Sequence, residues 1–299
     1  MGQRVADAGG DADPRVDSRP VTILQAIILG IVQGITEFAP VSSSGHLIIV
    51  PWALGWDIVN DPALNKTFDV ALHMGTFVGA VIYFRTDLWS YLKAFVASCR
   101  ARAIRNPDER LAWAIVVGTI PGVIAGATLE SVIEDKLGQP VVIAVMLAAM
   151  GVVLYVVDRV ARQDRGLDSI GPRTGLFVGV AQALALQPGV SRSGITITAG
   201  RLIGLDRATA ARFSFLMALP IIAGAGGLKA LDLAQTGFQG YGAQFLAGFI
   251  AAGVSGFLVI WFLLKYLRNH DFLVFMVYRL AVAALVIALV AGNVRSGSI

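Results

Sequence analysis

Two short polar stretches interrupt runs that are otherwise apolar. The first, Gln33 to His46, reads Q-G-I-T-E-F-A-P-V-S-S-S-G-H and carries Glu37, Pro40, the serines Ser42, Ser43 and Ser44, and His46. The second, Gln182 to Thr196, reads Q-A-L-A-L-Q-P-G-V-S-R-S-G-I-T and carries Arg192 between Ser191 and Ser193, then Thr196. Laid over each other, V-S-S-S-G-H and V-S-R-S-G-I share Val, Ser, Ser and Gly, and Gln33 falls on Gln182. Polar groups at membrane depth cost several kcal/mol each when unpaired, so ionisable residues there are functional candidates. Arginine presents a planar fork of donors that matches phosphate oxygens. Serines and the N-terminus of a helix resuming after a proline also favour an anion. Two such cradles facing each other suit a diphosphate. Glu37 and His46 supply a base or nucleophile, and an acid or covalent partner. A carboxylate beside phosphates also suits a divalent cation, Mg2+ or Ca2+, with Glu37 as its protein ligand.

These residues need a membrane around them, and the composition supplies one. Of 299 residues, 56% are hydrophobic and only 15% charged, where a soluble domain carries about a quarter. Mean hydropathy is +0.71 and the formal charge +4. The basic residues lie between apolar runs, which argues against nucleic acid as a partner. The one cysteine, Cys99, excludes an intramolecular disulfide.

The chain reads as an all-α polytopic membrane protein: six transmembrane helices plus two re-entrant helical hairpins. Residues 1–20 are polar and read as a disordered tail; 21–291 form one membrane domain and 292–299 a second tail. Val21–Phe38, broken at Pro40, and Leu47–Leu54 make the first hairpin. Gly175–Leu186, broken at Pro188-Gly189, and Ile195–Leu205 make the second. Spans are expected at Phe68–Phe84, Leu111–Leu129, Val141–Val157, Phe213–Leu231, Phe245–Tyr266 and Phe272–Ala291, each near the ~20 residues a bilayer requires. The intervening segments 85–110, 130–140 and 158–173 read as loops. Gly118, Gly122 and Gly126 have the small-xxx-small spacing of a packed helix face.

Orientation follows from the Lys/Arg bias of the loops. The basic segments 85–110, 158–173, 206–212 and 267–271 go to the cytoplasm; 130–140 and 232–244 go outside. The first hairpin then opens outward and the second inward. That makes an inverted-topology repeat, about 21–157 and about 175–291, an arrangement that places sites at the midplane where broken helices meet.

At these motifs the chain resembles the bacterial undecaprenyl-diphosphate phosphatases of the bacitracin-resistance type. The likeness extends through F-D-V-A-L-H-M-G-T and R-F-S-F-L-M-A-L-P and covers about Thr22 to Ala291. It implies an enzyme of the plasma membrane, its active site opening to the outer face, that removes the terminal phosphate of undecaprenyl diphosphate and so recycles the lipid carrier of cell-wall synthesis. Glu37, Ser43, His46 and Arg192 match the catalytic positions. Gln33, Ser42, Ser44, Ser191, Ser193 and Thr196 are the expected substrate-binding set. Many members carry Glu where this chain has Gln33, which leaves Glu37 alone in the acid–base or metal role. The implied partners are the polyprenyl diphosphate and membrane lipids; a homodimer stays open.

Competing readings exist. Inverted repeats with broken helices are also a transporter architecture, so a polyprenyl-phosphate flippase is the runner-up. S-S-G-H partly matches a different class of membrane phosphatase, but S-R-S-G-I-T-I-T lacks that class's second histidine. Serines also pack as small residues, and arginines snorkel to the interface. Asp69 and His73, at i and i+4 in one apolar run, stand outside the expected catalytic set: they either support the residues that touch substrate or face the loop.

Overall fold

The computed structural model describes residues 21–56, 62–236 and 240–297. The expected N-terminal tail, the connector segment 57–61 and the last two residues lie outside them. The described chain is helical throughout its regular structure: α1 (Ile23–Phe38), α2 (Ser43–Leu54), α3 (Pro62–Tyr83), α4 (Arg85–Ala101), α5 (Pro107–Leu137), α6 (Pro140–Val160), α7 (Pro172–Ala183), α8 (Arg192–Leu202), α9 (Arg207–Thr236), α10 (Gly242–Tyr266) and α11 (Leu273–Ala291).

Among the described residues five helices are long and apolar enough to cross a membrane: α5, α6, α9, α10 and α11. A sixth crossing exists only if α3 and α4 count as one span, and they meet at 81°. Three expected loops are corrected. Residues 85–101 are helical, because Leu88, Tyr91, Phe95 and Ser98 recur at helical spacing and turn inward. Arginine count alone does not distinguish such a helix from a loop. The segment 130–137 continues α5, which ends at Leu137 rather than Leu129. The segment 158–173 begins inside α6, with Asp158 buried.

The short helices are held by close backbone approach. A Cβ at Gly30 or Gly34 of α1 would meet α10 backbone at Gly248 or Ala252. A Cβ at Gly175 or Gly179 of α7 would meet α5 backbone at Ala114 or Gly118. Small residues allow such contact where lipid provides little drive for helix association. Gly118 and Gly122 therefore serve packing as their spacing suggests, whereas nothing lies within contact of Gly126. The first arm of each broken pair thus leans on a long helix from the other half of the chain.

One buried charge cluster ties α6, α8 and α9 together. Arg201 Nε donates to Asp158 Oδ1 at 2.8 Å, and Arg207 Nε donates to both carboxylate oxygens at 2.9 and 3.0 Å. Arg201 also donates to the carbonyls of Arg162, Asp158, Ala161 and Leu205. Both Asp158 and Arg201 are buried. Removing one partner of a buried pair leaves the other charge uncompensated, at roughly 3–5 kcal/mol. Asp158→Ala should therefore lower the thermal unfolding temperature in detergent well beyond Arg207→Ala, since Arg207 keeps 19% of its side chain exposed. Equal melting of the two variants would contradict this.

Candidate active site

The two sequence echoes adopt the same backbone. Ser42 and Ser191 are both N-caps with positive φ, 76° and 75°, and each side chain accepts a hydrogen bond from the glycine N–H three residues on, Gly45 or Gly194. Pro40 and Pro188 precede them, and the residue after each serine starts a helix, α2 or α8. Positive φ at a non-glycine costs about 1–3 kcal/mol and persists only where surroundings hold it. Here the surroundings are the opposite break: Gly189 N–H donates to Ser42 Oγ at 3.1 Å, and Ser193 Oγ donates to the Ala39 carbonyl at 3.0 Å. The two polar breaks, far apart in the chain, are in direct contact.

Glu37, 5% exposed, lies at their junction. Its Oε1 accepts from Arg192 Nη2 at 3.0 Å. Its Oε2 accepts from Ser43 Oγ at 2.6 Å and from Gln33 Nε2 at 3.0 Å. Arg192 also donates to the carbonyl of Ser214 at 3.4 Å. Ser43 is half-buried at the first turn of α2, where the leading N–H groups lack intrahelical acceptors. A hydroxyl held on a carboxylate, an arginine beside it and an open helix start together form the arrangement an activated nucleophile needs to reach a phosphoryl group.

The remaining expected residues divide by what they touch. Ser44 is exposed, near Ser42 Oγ. Ser191, Ser193 and Thr196 are buried and bonded within the protein: Ser191 to Ser193, and Thr196 to the Arg192 carbonyl and to Ser214 Oγ at 2.7 Å. With Ser42 they build the cradle from inside. His46 Nδ1 meets the Ser42 carbonyl at 2.7 Å, so that nitrogen donates and Nε2 accepts from the Tyr278 hydroxyl at 2.8 Å. No hydrogen bond among the described residues joins His46 to Glu37.

Two residues outside the expected set also reach the site. His73 Nε2 lies 3.5 Å from Glu37 Oε2. Its signal was present as a histidine inside an apolar run, but nothing in the chain says which way α3 faces. Arg279, fully buried in α11, donates to the carbonyls of Pro40, Gly189, Val190, Leu147 and Met146. It takes up carbonyls that both breaks release. An arginine within the last apolar run was the available signal.

A divalent cation finds a limited protein site here. Among the described residues no three His, Cys, Asp or Glu side chains gather to hold an ion. Gln33 Oε1 is buried and accepts no hydrogen bond in the structure, but it is the Nε2 of that amide that faces Glu37 Oε2, which leaves the Glu37 carboxylate as the protein oxygen donor here. A single carboxylate fits a cation whose other ligands are substrate phosphate oxygens and water, the usual habit of Mg2+.

Fold and site define an all-helical membrane protein with a buried polar centre built where two helices break. The family model for "Bacitracin resistance protein BacA" matches residues 26–285. The chain is similar to the undecaprenyl-diphosphatase of Moorella thermoacetica, 48% identical over 268 residues, 90% of this chain and 98% of that one. It is also similar to the undecaprenyl-diphosphatases of Desulforudis audaxviator, 45% identical over 270 residues, and Rubrobacter xylanophilus, 44% over 272 residues. Those alignments cover 90% and 89% of this chain and 98% of each relative. The chain belongs to the bacitracin resistance protein BacA family.

The Arg279 contacts predict a graded effect. Each buried carbonyl left without a donor costs about 1–3 kcal/mol. Arg279→Met should lower the unfolding temperature sharply, and Arg279→Lys should recover only part of the loss because an ammonium lacks the planar fork. Full recovery by lysine would show that charge alone is what the site needs.

Proposed function

We propose that this protein hydrolyses undecaprenyl diphosphate to undecaprenyl phosphate and inorganic phosphate, recycling the lipid carrier of cell-wall synthesis. Membership of the family and relatives named undecaprenyl-diphosphatase support the activity. The observation that carries it to these residues is the Ser43–Glu37–Arg192 arrangement.

In this reading Ser43 Oγ attacks the terminal phosphorus and passes its proton to Glu37. The bond from that phosphorus to the bridging oxygen breaks, and undecaprenyl phosphate leaves. Glu37 gives its proton up past His73. A water then attacks the phosphoserine, Glu37 takes a proton from it and returns one to Ser43 Oγ, and phosphate departs. Arg192 and the start of α2 neutralise charge on the transferring oxygens. His46, anchored at both nitrogens, positions the first turn of α2. A divalent cation held by Glu37 and substrate oxygens would add further neutralisation.

The same proposal includes an inverted repeat. The matched caps, and the packing of α1 on α10 and α7 on α5, favour two re-entrant pairs of opposite sense, with α3 and α4 completing the sixth span. The basic segments then lie in the cytoplasm and the first break opens to the outer face of the plasma membrane. A second copy of the chain is a further proposed partner.

The test is phosphate release from undecaprenyl diphosphate by purified protein in detergent. Glu37→Ala, Ser43→Ala and Arg192→Ala should each lower kcat by about 10²–10⁴-fold. Full activity in Ser43→Ala would transfer the nucleophile's role to water. Absence of release by the wild type, with lipid movement between leaflets retained, would favour the flippase.

A further inference from the structure

A cavity of about 460 Å³ lies between α3, α4, α5 and α9, within the roughly 300–1,000 Å³ usual for small-molecule sites. Its walls are apolar. Phe77 and Val81 of α3 line it, with Leu92 of α4, Ala112 of α5, and Leu219 and Ala223 of α9. Four helices contribute residues to its walls.

Its position ties it to the polar centre. His73, Phe77 and Val81 stand at i, i+4 and i+8, on one face of α3. His73 meets Glu37 at 3.5 Å, so the helix face that borders the carboxylate continues directly into the cavity wall. Beyond Val81, the turn from α3 into α4 carries a charge pair. Arg212 Nη2 pairs with Asp87 Oδ1 at 2.7 Å, and the same guanidinium lies 5.7 Å over the Phe84 ring.

We infer that this cavity is the subsite for the first isoprene units of the substrate's polyprenyl chain. The inference rests on the proposed phosphatase reading and names where its substrate's tail goes. A diphosphate held by Arg192 and the α2 start must send its tail away from a centre lined with serine, arginine and carboxylate. The α3 face offers an apolar path that begins one turn beyond His73. A cavity of about 460 Å³ houses only part of a long chain, and the remainder lies in the bilayer. Burial of apolar area against fixed walls then adds to the affinity of long-chain substrates and adds nothing for a substrate without a chain.

Filling the cavity tests this. Ala112→Phe and Ala223→Phe would each place a ring inside it, and Ala112→Leu is the milder variant should a ring disturb folding. Steady-state phosphate release is measured with undecaprenyl diphosphate and with a five-carbon prenyl diphosphate. The expected result is a KM for undecaprenyl diphosphate raised by roughly tenfold with kcat kept, and unchanged kcat/KM for the five-carbon substrate. A loss equal for both substrates, or none for either, overturns the subsite. A phospholipid acyl chain as the resident would show as native mass spectra in which bound phospholipid is lost in the variants while KM for undecaprenyl diphosphate stays constant. If the wild type releases phosphate from neither substrate, it is the phosphatase reading that fails.

Discussion

The structure depends on one ion pair made across 155 positions of chain, between the carboxylate of Glu37 and the guanidinium of Arg192. Neither charge is tolerable alone at that depth, because desolvation costs several kcal/mol per ion. Together, and with Ser43 and Gln33 on the second carboxylate oxygen, they form a satisfied polar centre. The pair can form only where both helices stop short and turn back. Chemistry and architecture therefore share one constraint: two helices must end inside an apolar medium without leaving backbone groups bare.

The broken ends show how that is met. Each proline removes a donor and ends a helix, and each break frees carbonyls that lipid cannot satisfy. Arg279 collects those of Pro40, Gly189 and Val190. Ser42 and Ser191 cap the resuming helices from a backbone conformation that serine rarely adopts. That strain is offset because each break supplies partners for the other: Gly189 N–H for Ser42, and the Ala39 carbonyl for Ser193. Either half removed from the other would hold unpaired groups. Asp158 with Arg201 and Arg207 fixes the far end of α8, and so fixes the direction from which Arg192 arrives.

Much of this was legible in the chain. Apolar length and proline position located the long helices and the two breaks, since both are local properties. The V-S-x-S-G echo marked two equivalent turns, and the structure gives them matching caps. Segment 85–101 was misread because basic residues suit a loop and an amphipathic helix equally; only the inward spacing of Leu88, Tyr91, Phe95 and Ser98 distinguishes the two. The sequence leaves His73 open between site and loop, and misses Arg279, for a different reason. Their importance lies in what they face, and facing is set by tertiary packing rather than by composition. The hydroxyls of Ser193 and Thr196 were legible as polar, but not as inward-directed braces.

The central claim is that a pyrophosphate head is gripped where both breaks meet. The most direct measurement is a structure of the protein with a non-hydrolysable prenyl methylene-diphosphonate. The account predicts the terminal phosphonate against the Arg192 guanidinium, with its phosphorus in line with Ser43 Oγ. Ordered density for the diphosphonate elsewhere, with the Glu37–Arg192 pair undisturbed and neither break in contact with it, would contradict the account.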